Sequence, residues 1–206
     1  IRDRMMQEGM VQARLKHPNV VAVTDVIEVD GAPGLVMEFI DGNDLDHFLT
    51  RYRPTAAQID ALSAGIFDGV QAIHEAGLVH RDLKPANILL GGAEGEPLRP
   101  LITDFGLARA VDDVTITRTG EVRGTPQYMS PEQAAGDGYR ADSRSDIYAL
   151  GVILFEMLTG ERPFRGNVRM MLFQVINTEP PSPSELTNGV PRDLETICLK
   201  CLHKDP

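Results

Sequence analysis

Cysteine is nearly absent from the sequence: the 206 residues hold two, Cys198 and Cys201, three positions apart. Two thiols in an otherwise cysteine-free chain fit a reducing compartment better than a disulfide scaffold. A surplus of basic residues is also lacking. With 20 Lys and Arg against 30 Asp and Glu, the formal charge is −10, which argues against a nucleic-acid surface. No apolar run approaches the length needed to span a bilayer, and nothing at the start reads as a signal peptide. A soluble, cytoplasmic chain is the expectation. What the sequence does have is 42% hydrophobic residues over 206 positions, enough to bury a globular core as one domain or two small ones.

Met5, Met6, Met10, Ala13 and Leu15 recur at helical spacing, and His17-Pro18-Asn19 breaks the pattern. Val20, Val21, Val23, Val26, Ile27 and Val29 predict a strand, Asp30–Gly34 a turn, and Leu35–Ile40 the returning strand. From Asp41 the character turns helical, and Asp41-Gly42 reads as a hinge between two lobes. Thr55 and Gln58 form a capping box ahead of Ile59, Leu62, Ile66, Val70 and Ile73, which share one helical face, and Gly77 stands at the C-terminal stop. Short strands and loops are expected from Leu78 to about Ile102. The polar stretch from Ala108 to Arg123 is either a disordered connection or a functional loop. A helix apolar all round is expected over Asp146–Thr159, closed by Gly160, with shorter helices at Asn167–Ile176 and Arg192–Leu202.

Three motifs then follow in order: His80-Arg81-Asp82-Leu83-Lys84-Pro85-Ala86-Asn87, Asp104-Phe105-Gly106, and Gly124-Thr125-Pro126-Gln127-Tyr128-Met129-Ser130-Pro131-Glu132. With these in register the chain resembles the protein kinases over essentially its whole length. Arg123–Pro126, Met129–Gln133 and Asp193–Cys198 look most like the bacterial Ser/Thr members. The resemblance implies an α+β, two-lobe fold: a partial, small β-rich N-lobe over residues 1–40 and a mostly helical C-lobe over 41–206, truncated before its last helix. It also implies transfer of the ATP γ-phosphoryl to protein Ser/Thr hydroxyls, with Mg²⁺ or Mn²⁺ and protein substrates.

Phosphoryl transfer asks a protein for positioning and positive charge more than for covalent chemistry. By resemblance, Asp82 receives the proton of the substrate hydroxyl, and Lys84 contacts the γ-phosphate and marks a Ser/Thr enzyme. Asn87 and Asp104 hold the metal ions. Glu8 pairs with an ATP-binding lysine, and the Thr125 hydroxyl contacts Asp82 and Lys84. Met37 stands as gatekeeper beside the adenine pocket. Glu38 and Ile40 offer it backbone hydrogen bonds, Leu89 forms its floor, and Asp44 reaches the ribose; the same residues also read as a core strand and a helix start. Asp146 accepts hydrogen bonds from the backbone of the His80-Arg81 turn. Arg81 collects a phosphate placed on Thr115, Thr117 or Thr119.

Several features depart from the family pattern. The glycine-rich loop and its lysine are not among these 206 residues, so a fragment of this extent is expected to be inactive. Gln12 occupies a position that is usually apolar and packs near the motif phenylalanine. The Gly91–Pro100 connection is long, and Ala86 replaces an often acidic residue, which disfavours strong selection for arginine before the acceptor. Cys198 and Cys201 are expected to be structural, with no second ligand pair for zinc. Two other readings remain: a pseudokinase scaffold, against which intact Asp82, Asn87 and Asp104 argue, and a small-molecule phosphotransferase, against which the Gly-Thr-Pro to Ser-Pro-Glu segment argues.

Overall fold

A computed structural model describes residues 9–29, 32–92, 97–105, 126–137 and 141–205. Residues 9–14 are helical (α1), and the chain leaves them through a turn in which the Val20 amide donates to the His17 carbonyl at 3.1 Å. β1 (Val23–Val29) and β2 (Ala32–Met37) form an antiparallel pair with Val23 opposite Met37 and Val26 opposite Leu35.

The expected first strand ran from Val20, but the ladder begins at Val23. Val20 and Val21 are taken by a different partner: Val20 bridges Ile102 in parallel, and the Val21 amide donates to the Ile102 carbonyl at 2.9 Å. One run of β-branched residues is thus divided between two sheets. The returning strand also sits earlier than expected. One further pair, the Glu38 amide on the Ala22 carbonyl at 2.9 Å, follows Met37; Phe39 is then 89% exposed.

β3 (Asn43–Asp44) leads directly into α2 (Leu45–Arg51), whose N-terminus is capped by the Asp44 carboxylate accepting from the His47 amide at 2.7 Å. α3 (Ala56–Glu75) begins with the expected capping box: Thr55 accepts from the Gln58 amide at 3.3 Å, and Gln58 accepts from the Thr55 amide at 2.9 Å. Its predicted apolar face, from Ile59 to Ile73, is buried. Gly77 follows the helix at φ 76°, the left-handed conformation a C-terminal glycine supplies. β4 (Ile88–Gly91) and β5 (Arg99–Ile102) complete a three-stranded antiparallel sheet in the order β3-β4-β5.

α4 (Pro131–Ala134) and α5 (Ser143–Thr159) follow. The apolar helix starts three residues before its expected beginning, because the Asp142 side chain caps it by accepting from the Arg144 amide at 2.8 Å. Asp146 therefore lies in its first turn rather than opening it. Among the described residues α6 (Val168–Asn177), α7 (Pro183–Leu186) and α8 (Arg192–Cys201) follow. α5 is buried on nearly every side, as its composition requires. Gly151 lets α8 approach closely: a Cβ there would meet Cys201 Cβ at 2.7 Å. Cys198 is a buried free thiol that donates to the Gly151 carbonyl at 3.4 Å, and Cys201 is free and half-buried. Burial pushes both thiols up from their ordinary range, in keeping with a packing role.

Candidate active site

Two non-glycine residues among those described have positive φ: Arg81 at 69° and Asp104 at 59°. Such conformations cost about 1–2 kcal/mol each and persist where surrounding groups fix them. For Arg81 the fixing group is Asp146, which is 1% exposed. Its Oδ1 accepts from the Arg81 amide and its Oδ2 from the His80 amide, both at 2.8 Å, as expected from the sequence. The same Oδ2 lies 2.8 Å from His74 Nε2, a third tie that the sequence did not disclose. Gln133 Nε2 donates to the Arg81 carbonyl at 2.9 Å, fastening α4 to the same turn.

The turn presents Asp82 and Lys84. Lys84 Nζ donates to Asp82 Oδ2 at 2.6 Å, and the Asp82 side chain is 43% exposed. Pro85–Asn87 form one 3₁₀ turn, which brings Asn87 Nδ2 to the Asp82 carbonyl at 2.8 Å. With its nitrogen so engaged, the Asn87 amide has its oxygen left as an acceptor. The Thr103 amide donates to the Asn87 carbonyl at 3.0 Å, which sets the exposed Asp104 beside this loop. Mg²⁺ takes hard oxygen ligands and commonly uses one or two protein groups plus substrate phosphates. The Asn87 amide oxygen and the Asp104 carboxylate fit that donor set. No cluster of three or more His, Cys, Asp or Glu suited to a metal occurs among the described residues.

His80 is fully buried behind the loop, with Nε2 3.0 Å from the Thr103 carbonyl. A carbonyl only accepts, so Nε2 carries the proton; Nδ1 has no hydrogen-bond partner. Burial holds this imidazole below its ordinary value of 6.5, against the opposing pull of Asp146 and Asp82. In the unfolded chain His80 takes a proton near pH 6.5, while the folded chain resists until lower pH. The unfolded state then holds more protons, so this contribution to stability is complete above that pH and is lost as pH falls through it, by up to about 1.4 kcal/mol per pH unit. Urea midpoints measured at pH 7.5 and pH 5.5 are expected to show a steeper acid loss for the natural protein than for His80→Gln. Equal slopes would contradict the assignment.

The other expected site residues fall as follows. Met37 ends β2, and its sulfur lies 3.7 Å from Thr103 Oγ1, so the end of the hairpin faces the strand that delivers Asp104. Glu38 is tied to Ala22 twice, by its amide and by its Oε1 accepting from the Ala22 amide at 2.9 Å. Ile40 is half-buried. Asp44 serves as the cap of α2, and it pairs in register with Leu89. Leu89 is half-buried between the buried Ile88 and Leu90, and strand alternation turns it to the opposite face from both. Glu8, Thr115, Thr117, Thr119 and Thr125 lie outside the described residues, as does Gly106. A further cluster went unnoticed in the sequence: Tyr128 donates to Glu156 Oε2 at 2.6 Å, and Arg162 Nε donates to Glu156 Oε1 at 3.2 Å.

A loop built this way fits the protein-kinase architecture, an α+β fold in which a small β-rich lobe sits with a mostly helical one. The chain belongs to the protein kinase domain family, whose description matches residues 1–206. It is similar to the serine/threonine-protein kinase PkaA of Streptomyces coelicolor, with 42% identity over 205 residues, covering 98% of this chain and 36% of that protein. It is also similar to PknB of Mycobacterium leprae, 40% identical over 212 residues, covering 98% of this chain and 33% of that protein. PknJ of Mycobacterium tuberculosis is 36% identical over 208 residues, covering 100% and 35%. The chain spans about a third of the length of these relatives.

Proposed function

We propose that the chain is the catalytic domain of a bacterial-type serine/threonine protein kinase, which moves the γ-phosphoryl of ATP to Ser or Thr hydroxyls of protein substrates. The observation that carries this reading is the Asp82–Lys84 contact of 2.6 Å, beside an Asn87 whose amide nitrogen is committed to the Asp82 carbonyl. Asp82 receives the proton as the hydroxyl oxygen forms its bond to the γ-phosphorus; the bond from that phosphorus to the β,γ-bridging oxygen breaks and ADP leaves. Lys84, whose Nζ donates to Asp82 Oδ2, offers positive charge to the transferring phosphoryl group. Asn87 and Asp104 would hold Mg²⁺ or Mn²⁺, which supplies charge neutralisation on the phosphates.

Supporting positions complete the reading. Met37, Glu38, Ile40, Asp44 and Leu89 would surround the nucleoside, Glu8 would pair with an ATP-binding lysine, and Thr125 would shape the acceptor groove. Arg81 would engage a phosphate on Thr115, Thr117 or Thr119. The division into lobes is placed between residues 40 and 41, and a cytoplasmic location fits the composition; among the described residues no helix is long and apolar enough to cross a membrane. A polypeptide limited to these 206 residues carries no glycine-rich phosphate loop, and transfer by it is expected to be negligible.

The test is radiolabel transfer from ATP by the complete natural protein, followed by phosphoamino-acid analysis. Phosphoserine or phosphothreonine that disappears in Asp104→Asn supports the reading. Phosphotyrosine alone, or label that survives that substitution, would overturn it.

A further inference from the structure

Gln12 is a polar side chain in an apolar place. It lies on α1, is 2% exposed, and donates through Nε2 to the carbonyl of Phe105, 93 residues away. Phe105 is itself buried, its ring centroid 6.4 Å from that of His80. On the other side of Asp104, His80 Nε2 donates to the Thr103 carbonyl at 3.0 Å. The residues before and after Asp104 therefore each have their carbonyl held by a buried side chain. Between these two ties Asp104 adopts φ 59°, a conformation that a residue with a Cβ keeps only where its surroundings over-determine it. An apolar side chain of similar length would fill the space but leave the Phe105 carbonyl without its donor.

We infer that Gln12 is a positioning residue for phosphoryl transfer: by holding the Phe105 carbonyl it fixes the Asp104 carboxylate for the metal–nucleotide complex. His80 supplies one anchor from the catalytic loop and Gln12 the other from α1. The inference rests on the reading of Asp104 as a metal-holding group.

The experiment uses the complete natural protein and Gln12→Met, which keeps the length of the side chain and removes the donor. Binding of Mn²⁺ in the presence of a non-hydrolysable ATP analogue is followed by electron paramagnetic resonance, and the Mg²⁺ dependence of transfer is measured alongside thermal unfolding. Loss of one hydrogen bond to the backbone of the metal loop is expected to weaken Mn²⁺ binding on the order of tenfold. The Mg²⁺ concentration for half-maximal rate should rise in parallel, while kcat at saturating Mg²⁺ changes about twofold or less. Unchanged metal affinity, or a lowered unfolding temperature with metal affinity intact, would overturn the role. Gln12→Leu, a second side chain without a donor, gives the same reading where Gln12→Met does not fold; if neither variant unfolds cooperatively, Gln12 is structural and the inference falls. Natural protein that binds Mn²⁺ no better than Asp104→Asn would instead remove the reading of Asp104 on which the inference stands.

Discussion

Replacing Asp82 with asparagine is expected to lower kcat for phosphoryl transfer by roughly 10²–10⁴-fold, the range that a positioned general base contributes. Asparagine keeps the shape of the side chain but cannot take up the hydroxyl proton, and it no longer balances the ammonium of Lys84, 2.6 Å from Oδ2. The fold should be nearly indifferent. The Asp82 side chain is 43% exposed, and ion pairs in such positions contribute about 0–1 kcal/mol. The loop is held from behind by Asp146 and Gln133 through the backbone of His80 and Arg81, not through the Asp82 carboxylate. Steady-state kinetics with a protein substrate, together with the dissociation constant for MgATP, provide the check. A variant that binds MgATP as the natural protein does while losing two or more orders in kcat matches the assignment. A kcat within tenfold of the natural value would move Asp82 out of the chemistry and favour a binding or scaffolding role for the domain.

The candidate catalytic residues were legible in the sequence because their spacing is local. Asp82, Lys84 and Asn87 fall within six residues, and a single turn brings them together. Local signals also carried the frame of α3, where Thr55, Gln58 and Gly77 mark both ends, and the all-round burial of α5. Partner choice was not legible in the same way. Val20 and Val21 have the same β-branched character as Val23, yet they bond to Ile102 while Val23 pairs with Met37; side-chain type records extended structure, not which strand stands beside it. Asp44 shows a related ambiguity, since one residue ends a strand and caps a helix. α4 could have been found: Ser130 and Gln133 repeat the spacing of Thr55 and Gln58, and they close the same capping box. His74, Gln133 and the Tyr128–Glu156–Arg162 cluster carried no comparable signal. Their contacts join residues 72, 52 and 28 positions apart, and only the packing of α3, α4 and α5 creates them. For Gln12 the sequence held a warning, a polar residue at an apolar position, but not the carbonyl that explains it.

Asp146→Ala is expected to destabilise the kinase domain by about 3–5 kcal/mol, the scale of removing one partner from a buried charged arrangement. Its carboxylate is 1% exposed and accepts from the amides of His80 and Arg81, with His74 Nε2 at the same 2.8 Å. Alanine leaves the His80 amide without its acceptor in a buried place and withdraws the bond that holds Arg81 at φ 69°. Asparagine should cost less, about 1.5–3 kcal/mol, because one amide oxygen can still accept while the other position presents N–H groups toward a donor. For a domain of this size such losses correspond to a fall in Tm of roughly 6–20 °C for alanine, measured on the kinase-domain transition of the complete protein. Activity should fall further than stability at temperatures where the variant remains folded, since the turn that Asp146 holds is the one that aims Asp82. If Asp146→Ala unfolds within 1 kcal/mol of the natural protein, the hydrogen bonds to the turn are not what holds it. If it is destabilised as expected yet keeps full kcat, the turn is set by Gln133 and the 3₁₀ segment instead, and Asp146 serves the fold alone.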